Sequence, residues 1–225
     1  MNYLVFDTSS LISISTNNLL NILEELSKKF HGDFLIAKSV KKEVIDNPIT
    51  SKKFKFEAIQ LSNLIDKGVI KLYKNLNLQN KTNNTLEIIN NLFYTEESPI
   101  RVVDEAEVES LILASSLNAV YIVDERTLRL VVENPKNLIN LLERKLHRKV
   151  KINGKNLKLF KELVSNVKII RSSELMTVAF EQGLFDNYKA DKKEVLDGLL
   201  WGLRLRGCAI STNEINDTLK LEKLK

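Results

Sequence analysis

Apolar positions in the first 135 residues form short unbroken runs separated by longer stretches of helical period. Residues 3–6 (Tyr-Leu-Val-Phe) carry no polar interruption, the pattern of a strand buried on both faces. Residues 11–30 carry Leu19, Leu20, Leu23 and Leu26 at helical spacing and predict one helix. Residues 33–37 predict a second strand. Ser39 is placed to cap a helix over 40–46, which Pro48 keeps short. A helix over 54–67 is closed by Gly68, and 69–73 predicts a third strand. Residues 74–91 are Asn-rich and polar, so an irregular or partly helical insertion is expected there. A strongly periodic helix over 104–117 and a strand over 119–123 complete the alternation. Strands alternating with helices predict a mainly parallel sheet covered on both faces, an α/β fold.

The pattern changes after Pro135. Helices are expected over 138–146, 173–181 (closed by Gly183), 193–206 (closed by Gly207) and from about 213. An Asn-Gly turn signal lies within 150–159. A boundary near residue 136 therefore divides an α/β unit, 1–135, from a smaller, mostly helical and basic C-terminal region, 136–225. No internal repeat is visible.

Charge sharpens this division. Residues 141–171 hold ten Lys/Arg against two acids, Glu143 and Glu162. Such an excess is either a solvated surface or an electrostatic footprint for a polyanion such as RNA. Aromatics are sparse there, so no base-stacking platform is indicated in that stretch. No apolar run approaches the roughly 18 to 20 residues that cross a bilayer. No basic region precedes the first apolar stretch, and a cytoplasmic protein is expected. Cys208 is the only cysteine, and His31 and His147 are the only histidines. Together they exclude an internal disulfide and a thiolate- or histidine-rich metal centre.

Carboxylates are the candidate chemistry. Ligands of an open parallel sheet bind beyond the carboxyl ends of its strands. Asp7 ends the first strand, and Asp124 ends a later one. Each also has an ordinary reading, Asp7 as a helix cap and Asp124 as a turn residue. At about 100° per residue, Glu105, Glu109 and Ser116 share one side of their helix, expected to be wet. Glu107 points toward Leu111 and Ala114. A carboxylate on a packed face needs compensation. A metal ion would supply it, and so would a capping box with Asp104; the two are compatible. Glu43 lies one turn into the helix after the second strand, near the same rim.

In order, "VFDTSSLI", "IAKSVKKEVI", "DEAEVESLILA" and "VYIVDERTLR" resemble the acidic motifs of a PIN domain, the metal-dependent ribonuclease family. The likeness spans about residues 1–135 and implies a PIN-like three-layer fold. Carried over residue by residue, it implies Asp7, Glu43, Glu107 and Asp124 as catalytic, metal-holding acids, with Ser9 as the supporting hydroxyl. "VDER" leaves Asp124 and Glu125 open as the last ligand. Asp104 stands where the related subgroup usually has Gly. The resemblance further implies a Mg²⁺ or Mn²⁺ cofactor, RNA as substrate and a homodimer as one option. Arg126, Arg129, Arg148, Lys149 and Lys151 are the candidate RNA contacts. A non-catalytic RNA-binding scaffold is the alternative.

Overall fold

The computed structural model describes residues 2–74, 78–96 and 98–222. Five strands form one all-parallel sheet: β1 (Asn2–Phe6), β2 (Gly32–Ile36), β3 (Ile70–Leu72), β5 (Val120–Ile122) and β7 (Lys168–Ile170), in the spatial order β3-β2-β1-β5-β7. A separate antiparallel ribbon pairs β4 (Phe93–Tyr94) with β6 (Lys151–Ile152). Parallel neighbours cannot be joined by tight turns, so helices cross over between them and cover both faces. The α/β expectation holds: a mostly parallel sheet flanked by helices, with further helices after residue 136.

β1 is central, paired with β2 on one side and β5 on the other. Val5 and Phe6 are wholly buried, and the Phe6 ring lies 5.4 Å from that of Phe34. Register then fixes the functional rim. Phe6 pairs with Ile36 on one side and Ile122 on the other, so the chain leaves all three strands at one edge.

Several elements differ from the sequence expectation. The single helix expected over 11–30 is two, Thr8–Thr16 and Leu20–Lys29. Asn18 turns left-handed between them (φ 58°), a conformation Asn tolerates, and Leu19 N–H closes the first helix on Ile14 O at 3.0 Å. After β2, the helix Lys38–Lys41 runs through a π-turn, Lys42–Asp46, into Asn47–Ile49. The Asn47 N–H reaches back to Lys42 O across this widened turn, just before Pro48, which has no N–H to give. The polar insertion contains the helix Leu78–Asn90, while residues 75–77 of that stretch lie outside the described residues.

The chain beyond residue 136 returns to the sheet. β7 pairs with β5, and β6 pairs with β4. Ser115 Oγ donates to Leu163 O at 2.6 Å, tying the helix Glu105–Leu117 to the helix Gly154–Leu163. Arg171, almost fully buried, binds Ala209 O (2.9 Å), Glu214 (2.8 Å) and Glu174. Burial pushes the Glu214 carboxyl upward, but hydrogen bonds from Ser211 and the Arg171 guanidinium outweigh it and hold its pKa at about 2. Among the described residues no helix is long and apolar enough to cross a membrane.

Candidate active site

Asp7 follows β1 and is 1% exposed. It caps the helix Thr8–Thr16: Oδ2 accepts from Ser9 N–H (3.0 Å) and Ser9 Oγ (2.7 Å). Its other oxygen, Oδ1, accepts from Tyr121 Oη at 3.1 Å. Ser9 Oγ in turn accepts from the backbone N–H groups of Asp124 (3.0 Å) and Glu125 (3.3 Å). One hydroxyl therefore pins the ends of β1 and β5 together. Burial pushes the Asp7 carboxyl up; the bonds from Ser9 and Tyr121 oppose this, and the charge of Asp104 adds to it.

Glu43 lies half-buried in the π-turn, where Thr8 Oγ1 donates to its Oε2 at 2.6 Å. Wide turns of this kind recur at functional sites. Burial raises its pKa, and Asp104 and Asp7 raise it further. Glu107 forms the capping box: its Oε2 accepts from Asp104 N–H (2.8 Å), and Asp104 Oδ1 accepts from Glu107 N–H (3.0 Å). Burial, with the charges of Asp104, Asp7 and Glu125, pushes its pKa up to about 8 against that backbone bond. Asp7, Glu43, Asp104, Glu107 and Glu125 are thus one electrostatic neighbourhood.

Asp124 is held by the chain beyond residue 136. It is wholly buried, Oδ1 accepting from Ser172 N–H (2.7 Å) and Oδ2 from Ser172 Oγ (2.6 Å). Its charge is felt at Cys208, whose thiol burial and that charge push up to about 11. Glu125 caps the helix Arg126–Glu133 through Leu128 N–H at 2.8 Å. Glu109, expected on a wet face, is half-buried and accepts from the N–H and hydroxyl of Ser39, covering the start of the helix Lys38–Lys41. Ser39 therefore does not cap that helix; Ala37 holds the cap position without a side-chain bond.

The expected RNA contacts scatter. Arg126 is exposed beside Glu125. Arg129 is mostly buried, near Glu133 (3.5 Å) and Ala209 O (3.4 Å). Arg148 and Lys149 border a cleft of about 300 Å³ with Thr95 and Glu96. Lys151 lies on β6, in the ribbon rather than the sheet that carries the acids. Tyr121 was not singled out from sequence, although a tyrosine inside a buried strand needs a partner for its hydroxyl.

A family model described as PIN domain matches residues 3–136. The chain belongs to the PIN-domain family. PIN domains are generally nucleases that use divalent metal ions. No curated protein and no solved structure matches the chain.

Among the described residues, no three acidic, histidine or cysteine side chains gather into a ready ligand group. The donor chemistry nevertheless suits a hard cation. The neighbourhood is all carboxylate, and its members raise one another's pKa, a repulsion that a divalent ion relieves.

This repulsion has a readable consequence. Folded, Glu107 keeps its proton up to about pH 8, whereas its ordinary value is 4.5. Between those values the folded state binds more protons than the unfolded one. The group's contribution to stability is therefore full below pH 4.5 and is lost as pH rises through 8. Melts in EDTA should show Tm falling from pH 5 to pH 8.5, and Glu107→Gln should flatten the fall. A Tm that rises across this interval in both proteins would contradict the placement of Glu107 beside other acids.

Proposed function

We propose that this PIN-domain protein is a metal-dependent ribonuclease that hydrolyses RNA phosphodiester bonds, in RNA processing or turnover. One observation carries the reading: Asp7, Glu43, Asp104, Glu107 and Glu125 crowd one strand-end rim, and burial and mutual charge raise the pKa of three of them. Carboxylates held in that condition cost stability, and hard-cation chemistry gives them a use.

Asp7, Glu43 and Glu107 would hold Mg²⁺ or Mn²⁺, with the last ligand supplied by the segment Asp124-Glu125. When bound, the ion supplies a Lewis acid and an activated water. The chain's own residues prepare the site. Ser9 and Tyr121 fix both oxygens of Asp7, Thr8 holds Glu43, and the Asp104 N–H holds Glu107. Ser9 also keeps the two strand ends in step, so the acids stay on rigid supports.

The experiment is cleavage of a labelled mixed-sequence RNA at low salt with Mg²⁺, Mn²⁺ or EDTA. Cleavage with either ion and none in EDTA is expected. A second reading, an RNA-binding scaffold that does not cut, draws on the engagement of Asp7, Glu43 and Glu107 in hydrogen bonds of the protein itself. RNA binding without cleavage under any metal would favour it.

A further inference from the structure

Beside the acids lies a basic and aromatic segment. Residues 38–55 contain six lysines and two acids. Lys41 is paired with Asp46. Lys38, Lys42, Lys52, Lys53 and Lys55 are all exposed, and none forms an ion pair among the described residues. Lys53 Nζ instead lies 4.9 Å from the centre of the Phe54 ring. Lys38 and Lys42 are one turn apart on the helix that carries Glu43, and 52–55 follow it after a short loop. Ser51 Oγ steadies that loop by donating to Lys53 O at 2.9 Å.

Phe54 adopts a left-handed φ of 59°, an unusual conformation for a bulky residue. With Glu43, Pro48 and Glu57 it lines a crevice of about 20 Å³, so the segment is seated against the π-turn that holds Glu43. Two residues on, Phe56 is 69% exposed, more than any other large aromatic of the described residues.

We propose that residues 52–56, with Lys38 and Lys42, bind single-stranded RNA flanking the bond to be cut, an unpaired base stacking on Phe56 and the lysines meeting phosphates. An aromatic face kept in water among uncompensated ammonium groups suits a strand that presents both bases and phosphates. A duplex keeps its bases stacked and offers no such face. Protein interface cores are depleted in lysine, which disfavours a protein on this patch. The location rests on the nuclease reading above; the binding test does not.

Binding is measured on the full chain carrying Asp7→Asn, in EDTA, by fluorescence anisotropy with a short labelled single-stranded RNA and with the same sequence as a duplex. Phe56→Ala should weaken the single strand about tenfold and leave the duplex almost unchanged, and Phe56→Trp should restore affinity. Replacing Lys52, Lys53 and Lys55 by Gln should reduce the slope of log K against log salt by about 2. Unchanged single-strand affinity in Phe56→Ala overturns the proposal. So does a Phe56→Ala protein that keeps its RNA affinity but shifts from dimer to monomer in sedimentation, since the patch would then face a second copy. Wild type that never cuts RNA, combined with these affinity losses, sinks the nuclease reading and leaves this surface standing. Wild type that cuts while binding ignores Phe56 does the reverse.

Discussion

Asp7→Asn is expected to cut the cleavage rate by on the order of 100-fold or more, the scale of losing one preorganised electrostatic group, while Tm stays level or rises. Asn offers an oxygen to the Ser9 N–H and hydroxyl, and its amide nitrogen can donate to Tyr121 Oη, which then serves as acceptor. The local geometry therefore survives. What disappears is a negative charge at 1% exposure, in a neighbourhood that includes Glu43, Asp104 and Glu107. Burial already pushes that carboxyl toward its neutral form, so the charge opposes folding and serves chemistry. Initial rates with Mg²⁺ and melts in EDTA decide the point. A variant that melts well below wild type would show that Asp7 holds the fold together, and its inactivity would then say nothing about catalysis.

That conflict between charge and burial is why the site was partly legible from sequence. An acid that interrupts an apolar run at a strand end is expensive, and parallel register brings such ends to one rim: Phe6, Ile36 and Ile122 align, and Asp7 and Asp124 follow closely. Strands β1, β2, β3 and β5 were legible because their apolar runs are unbroken or nearly so. β7 was not, since Lys168-Ile169-Ile170 at a sheet edge becomes a strand only through its pairing with β5. The helix Leu78–Asn90 was legible only as an irregular or partly helical insertion, because two of its four buried positions are Thr82 and Thr85, which hide its apolar stripe. The break at Asn17-Asn18 carries neither Gly nor Pro. Side-chain direction was the least legible feature. The partner of Asp124 lies 48 residues downstream, and no local pattern announces it.

Asp124 and Glu125 offer the sharpest contrast of substitutions. Asp124→Ala would leave the Ser172 N–H and hydroxyl buried without acceptors, each costing about 1–3 kcal/mol. For a chain of this size that corresponds to a Tm lower by roughly 5–15 °C. Asp124→Asn should be mild: its oxygen still accepts from Ser172 N–H, and its nitrogen can donate to the Ser172 hydroxyl once that rotates. Cleavage within about threefold of wild type is expected, since Ser172 holds the Asp124 carboxylate and its charge is not among those that raise the Glu107 carboxyl, whereas that of Glu125 is. Glu125→Gln should behave oppositely. The amide oxygen still caps Leu128 N–H, so Tm holds, but a negative charge beside Glu107 is lost, and cleavage should fall by tenfold or more. Both proteins are to be compared for initial rate with Mg²⁺ and for melting in EDTA. If Asp124→Asn is inactive and folded while Glu125→Gln cuts normally, Asp124 turns from Ser172 to the metal in the working enzyme. The helix Ser172–Glu181 would then have to give up its contact with the end of β5 on every metal-loaded cycle.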